Sequence, residues 1–145
     1  MHPRRTHLDH VDRDLCWLLL YTKARAESWA DINLRRQGFT TLLPRVRQRD
    51  GFGPLFPRYV FVGAPAGTDF RPARSTRGVL YVVHCGETPA RVPLEVIEEI
   101  RARMDAQGVV ALTESPNVDP LFARRERERV RALVKFAQAG FRVVA

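Results

Sequence analysis

The sequence predicts an α+β domain: a four-stranded, mainly antiparallel sheet of split βαβ type with packed helices, followed by a short helical tail. Three observations predict it. An apolar run passes directly into an amphipathic stretch, which opens the chain as strand then helix. Three further segments rich in β-branched and aromatic residues follow, separated by Gly and Pro. A second amphipathic stretch then closes the set. The length of 145 residues suits this, since a domain of about that size buries roughly 68–70% of its unfolded surface and needs no staples.

Leu15 to Thr22 (LCWLLLYT) is short, apolar and flanked by charge, as a buried central strand is. From Lys23 to Gln37, Ala26, Ala30 and Leu34 recur every four residues and Gly38 follows, which predicts an amphipathic helix with a glycine stop. Phe39 to Leu43 reads as the second strand, ended by Pro44. Arg45 to Pro54 carries the turn dipeptide Asp50-Gly51 and reads as the tip of a basic β-hairpin. Its expected returning strand is Phe56 to Gly63, with Tyr59 and Phe61 on one face and Arg58, Val60 and Val62 on the other.

Ala64 to Arg77 reads as loop or short helix, Val79 to Cys85 as a strand, and Gly86 to Pro89 as a turn. Pro93 opens a helix whose stripe is Val96, Ile97, Ile100 and Met104. Glu95, Glu98 and Glu99 come early in it and Arg101 and Arg103 late, which complements the helix dipole. Gly108 ends it. This order fits a split βαβ sheet with helices packed on one side. Residues 1–14 form a polar leader, 15–112 the domain, 113–120 a linker with two prolines, and 121–145 a tail. In the tail, Val130, Leu133, Val134 and Ala137 follow helical spacing, whereas Val130, Ala132, Val134 and Phe136 alternate as in a strand. Helix is favoured because residues 124–131 are rich in helix formers.

The charge distribution points to a polyanionic partner. The formal net charge is +8, and between Arg35 and Arg77 nine arginines face only Asp50 and Asp69, a local excess of +7. The residues argue against catalysis and metal binding. His84 and Cys85 are strand neighbours pointing to opposite faces, so they make no dyad. The three acidic residues of the helix first turn are accounted for by its dipole. Cys16 and Cys85 have no zinc-ligand spacing and read as free, and His2, His7 and His10 sit in the polar leader. No cofactor is implied. The apolar run around Trp17 to Tyr21 is too short to span a membrane and the leader lacks a signal-peptide core, so a cytoplasmic monomer is expected.

Three segments carry a resemblance: Trp17 to Lys23 (WLLLYTK), Pro54 to Val62 (PLFPRYVFV) and Ser75 to Pro93 (STRGVLYVVHCGETPARVP), with Asn33 to Gly38 (NLRRQG) similar as well. Together they resemble the N-terminal domain of the NusG family of transcription elongation factors, over roughly Leu15 to Met104. Within that family the chain is similar to the RfaH-type branch at least as closely as to general NusG. The resemblance implies a bacterial, non-enzymatic elongation and antitermination factor. Such a factor grips the clamp helices of the largest RNA polymerase subunit through an apolar concavity, touches the exposed non-template DNA strand, and suppresses pausing and termination.

Carried onto this chain, the resemblance implies polymerase contact through Phe56, Pro57, Tyr59 and Phe61, and nucleic-acid contact through Lys23, Arg36, Gln37, Thr76 and Arg77, with Asn33 at a neighbouring position. Departures are present. Asn33 and Trp29 stand where the RfaH pattern has a histidine and an arginine. Asp69-Phe70-Arg71 replaces its His-Thr-Thr segment, and Gly53 replaces an acidic residue. The tail only faintly resembles the start of the KOW barrel, and five strands do not fit after Pro120. The sequence therefore reads as lacking a complete KOW domain, either because the barrel is lost or because the chain is truncated. Two other functions fit the same residues: a stand-alone domain binding single-stranded RNA or DNA, and a barrel-less competitor of NusG on polymerase.

Overall fold

The computed structural model describes residues 13–112 and 119–140. Most of the expected leader, the linker segment 113–118 and the last five residues lie outside the described residues. Strand β1 (Leu15–Thr22) runs into helix α1 (Glu27–Arg36), then β2 (Thr40–Leu42), the hairpin β3 (Arg45–Gln48) and β4 (Gly51–Pro54), and β5 (Tyr59–Pro65). A single-turn helix α2 (Arg71–Arg74) precedes β6 (Val79–Val82), the small hairpin β7 (His84–Cys85) and β8 (Thr88–Pro89), and β9 (Arg91–Val92). Helix α3 (Leu94–Arg103), β10 (Val109–Val110), a 3₁₀ turn (Pro120–Phe122) and helix α4 (Glu126–Gln138) complete the described chain.

The main sheet has the order β2-β5-β1-β6, all antiparallel. β1 is its centre, paired with β5 from Leu15↔Pro65 to Tyr21↔Tyr59, while β6 and β9 share its other edge. Its apolar run has a direct cause. Trp17 and Leu19 enter one core cluster, Leu18 and Leu20 the other, and all four are nearly or fully buried. A strand covered on both faces needs apolar residues at every position. For the same reason the helices lie on both faces. Ala30 and Leu34 of α1 and Ala73 of α2 pack with Leu18, Leu20, Val60 and Val62. Val96, Ile97 and Ile100 of α3 and Leu133 and Ala137 of α4 pack with Trp17, Leu19, Phe56 and Phe61. The expectation of helices on one side is thereby corrected: a one-sided sheet would leave half of β1 in water. Close packing also imposes Gly63, because a Cβ there would stand 2.9 Å from the Trp17 ring.

Two strand boundaries differ from the expectation. The partner of β3 is β4, not the segment from Phe56, and the register Val46↔Gly53 and Arg47↔Phe52 makes the hairpin self-contained. Residues 56–59 instead form a tight turn, closed by the Tyr59 N–H donating to the Phe56 carbonyl at 3.1 Å. The expected strand from Val79 to Cys85 is divided, because His84 and Cys85 pair with Pro89 and Thr88 rather than with β1. The short β9 and β10 carry no periodicity that two residues can show. β9 is recruited by Trp17 and Leu18, and β10 lies parallel to β3.

The tail forms a helix, and tertiary packing explains why helix wins over strand. Helical spacing puts Leu133 and Ala137 into the core together, and both are fully buried. Arg129 is also buried, at 3% exposure. Its guanidinium donates to the carbonyls of Leu55 (3.0 Å), Ala123 (3.0 Å) and Arg124 (2.8 Å). Burial holds its pKa below the ordinary arginine value, with Glu126 opposing that shift. This cation ties the tail to the turn that precedes β5.

Candidate functional site

Every tyrosine of the chain stands in one row. Tyr21, Tyr59 and Tyr81 occupy three adjacent strands, and Tyr21 is in register with both of the others. The Tyr21 and Tyr59 rings are 5.2 Å apart and tilted by 59°, and Tyr21 stacks on Tyr81 at 4.8 Å and 28°. Exposure grades across the row: Tyr59 is 8% exposed, Tyr21 half-buried and Tyr81 49% exposed. Burial, reinforced by Tyr81 and Tyr21 and opposed by Arg58, pushes the Tyr59 phenol up to about 12, so it stays a neutral donor. The register between β1 and β6 shifts beside Tyr21, and Leu80 has no cross-strand partner and is 45% exposed next to Tyr81. The row therefore ends in an apolar, solvent-facing edge.

The turn that starts β5 positions Tyr59. Pro57 sits at its second position, and Arg58 at its third has φ +75°, the left-handed value that a type II turn requires and that normally selects Gly or Asn. An arginine holds it because its surroundings over-determine it. Its N–H donates to Glu27 Oε2 at 2.8 Å, and its carbonyl accepts from Thr22 N at 2.8 Å. Its Nε donates to the Thr22 carbonyl at 3.1 Å, and its guanidinium lies 4.5 Å over the Tyr21 ring. Phe56 and Phe61, expected beside Tyr59, are 1% and 0% exposed and meet edge to face at 6.2 Å in the core. The structure thus separates the four expected contacts. Tyr59 belongs to the row, Pro57 is half-buried in the turn, and Phe56 and Phe61 form the floor beneath.

On the other face of the sheet, chain ends converge into a basic rim. The Lys23 N–H donates to the Gly78 carbonyl at 2.8 Å, which joins the end of β1 to the segment before β6. Gly78 has φ +96°, and a Cβ there would press within 3.2 Å of the Ala30 Cβ, so glycine is needed for both reasons. Gln37 Nε2, after the end of α1, donates to Thr76 Oγ1 at 2.7 Å and to the Asn33 carbonyl at 3.2 Å. Thr76 Oγ1 donates in turn to the Pro72 carbonyl at 2.8 Å. Thr76 is buried with its hydroxyl engaged, so in this geometry it holds Gln37 in place. Lys23, Arg36, Gln37 and Arg77 are exposed, and among the described residues none of the three cations is paired with a carboxylate. Asn33 is half-buried, and its Nδ2 donor is covered without a partner among the described residues. Asp69 and Arg71, by contrast, pair with each other at 3.0 Å, which holds the Asp69 carboxyl below its usual range.

Sequence reasoning named Tyr59 but passed over Tyr21 and Tyr81. The signal was present: with a strand period of two, Tyr21 falls on the face of Trp17 and Leu19. Its neighbours across the sheet depend on register, which one strand alone does not reveal.

The fold is an α+β domain whose sheet is covered on both faces, with an aromatic row at one sheet end and a basic rim on the opposite face. Comparison with protein families gives the particular one. The family described as transcription termination factor NusG matches residues 15–101, well over half of the chain. The chain belongs to the NusG family, a family of transcription factors rather than enzymes, whose members interact with RNA polymerase. Among the described residues no helix is long and apolar enough to cross a membrane.

Proposed function

We propose that this protein is an elongation and antitermination factor that docks on the clamp helices of RNA polymerase and holds the exposed non-template DNA strand. The tyrosine row carries the reading. Three registered rings, graded from buried to half-exposed, offer a rigid apolar surface with phenolic hydroxyls, the composition that accepts the tip of a partner helix. Tyr59 and Tyr81 make the contact, Pro57 sets the turn, and Phe56 and Phe61 act from below by fixing β5. The rim supplies the second contact. Lys23, Arg36 and Arg77 attract phosphates, Gln37, held by Thr76, reaches a base edge, and Asn33 sits beside it.

The test is a gel-shift titration of the purified chain on a reconstituted elongation complex, against the same nucleic-acid scaffold without polymerase. Binding at least about tenfold tighter to the complex, weakened by Tyr59→Ala and Tyr81→Ala, supports polymerase anchoring, with Arg77→Ala reporting on DNA. The half-exposed Tyr81 also suits base stacking, which favours a free-standing nucleic-acid-binding domain as the second reading. Equal affinity for complex and bare scaffold, indifferent to Tyr59→Ala, would select that reading.

A further inference from the structure

We infer that the β3–β4 hairpin is a separate binding site for single-stranded nucleic acid, in which Phe52 stacks on a base and Arg45, Arg47 and Arg49 take the flanking phosphates. Neither the tyrosine row nor the rim includes these residues. The inference rests on the two-faced character of the hairpin. Its inner face is anchored: Val46 is 7% exposed within the core, and Gly53, opposite it, is buried. A Cβ on Gly53 would collide with the Gln48 side chain. The base of the hairpin is held by β10, which lies parallel to β3, and by Arg45, whose N–H donates to the Gly108 carbonyl at 2.9 Å and whose side chain donates to the Gln107 carbonyl at 3.1 Å. The hairpin is therefore a supported arm rather than a loose loop.

Its outer face is different. Strand alternation puts Arg45 and Arg47 on one side, and the register puts Phe52 directly opposite Arg47. Phe52 is 51% exposed, and the guanidiniums of Arg47 and Arg45 stand 5.4 and 5.7 Å from its ring centroid. Arg49 is exposed at the turn. Among the described residues no carboxylate pairs with any of the three, and Asp50 is the one acidic side chain between Arg45 and Pro54. A half-exposed ring with two guanidiniums over it sets an aromatic surface beside concentrated positive charge. That is complementary to an unstacked base with a phosphate on either side, and sequence-tolerant because every base has a π-face. A duplex keeps its bases stacked on one another, so it would engage the arginines through its phosphates and leave the ring no base face to stack on. An acidic protein surface would use the arginines but not the ring.

The site lies in the sheet layer of α3 and α4, because Val46 packs there, whereas Gln37 and Thr76 of the rim stand by α1 and α2. The two contacts are thus separable by mutation. The test is fluorescence anisotropy of the full chain, without polymerase, on a labelled oligothymidylate of roughly 12 nucleotides, a length within the usual site sizes. A duplex of equal length runs in parallel over a salt series. Phe52→Ala is expected to weaken single-strand binding by about 5- to 150-fold and to leave duplex binding nearly unchanged. Arg47→Ala should lower the slope of log affinity against log salt by about 0.7 on the single strand. Both residues sit on the outer face, and unchanged thermal unfolding of the variants checks that the fold is intact. Undetectable binding of the parent chain at low salt, or Phe52→Ala losing equally on both ligands, would overturn the inference. So would hairpin variants that bind the oligonucleotide normally while losing affinity for the elongation complex, which would assign the arm to a protein partner. Loss on Arg77→Ala with Phe52→Ala and Arg47→Ala unaffected would also overturn it, and would leave the rim reading intact.

Discussion

The left-handed arginine at the head of β5 permits a quantitative test. Arg58 has φ +75°, which costs a non-glycine residue about 1–2 kcal/mol. Its side chain offsets that cost with a charge-assisted hydrogen bond to the Thr22 carbonyl and a cation–π contact on Tyr21. For a half-buried group these are worth together about 2–3 kcal/mol. Arg58→Ala removes both contacts and keeps the strained backbone, so a loss of about 2–3 kcal/mol is expected. Arg58→Gly removes the same contacts but relieves the backbone by about 1–2 kcal/mol, less about 0.5–1 kcal/mol for the freer unfolded chain. Glycine should therefore be the more stable of the two variants by about 0.5–1 kcal/mol, or about 2–4 °C in Tm per kcal/mol for a chain of this size. Paired urea and thermal unfolding of the parent and both variants read the difference. An alanine variant as stable as the glycine variant, or more so, would refute a left-handed turn held by its side chain. Tyr59 would then not owe its placement to the Arg58 side chain.

Three further outcomes are expected. In an ultraviolet pH titration, one of the three tyrosines should ionise near pH 12 rather than near 10, and Tyr59→Phe should abolish that late phase. Because the folded phenol keeps its proton longer than the unfolded one, its contribution to stability is full below about pH 10 and is lost as the pH rises to about 12. Arg129→Met keeps the aliphatic stem but leaves the carbonyls of Leu55, Ala123 and Arg124 without their donor, which should cost about 2–4 kcal/mol in urea unfolding. Leu133→Ala empties a fully buried position where the tail meets the core and should cost about 2–5 kcal/mol, so a loss below about 1 kcal/mol would deny the tail a structural role.

Much of this architecture was legible because periodicity and punctuation are local. The apolar run of β1, the stripes of α1 and α3, the Asp50-Gly51 turn and the glycine after α1 each act over a few neighbouring residues. The rim was legible in part. Lys23, Gln37 and Thr76 were all named, but the Gln37–Thr76 bond crosses 39 positions, and Thr76's engagement as a support is visible only when α1 and α2 are placed together. Phe56 and Phe61 show the opposite limit. Aromatic residues in a strand read alike whether they face a partner or the core, and the turn at Arg58 decides which.

By itself the sequence determined the main elements (β1, α1, the β3–β4 turn and α3), their approximate order and the family, since these depend on side-chain spacing and on motifs such as PLFPRYVFV and STRGV. Tertiary structure alone decided the two-sided covering of the sheet, the alignment of Tyr21, Tyr59 and Tyr81 in one row, and the burial of Arg129 against three carbonyls. The reason is that strand register and layer packing are settled by contacts between residues far apart in the chain. A register shift of one residue would move every side chain of β5 to the other face while leaving its local sequence unchanged.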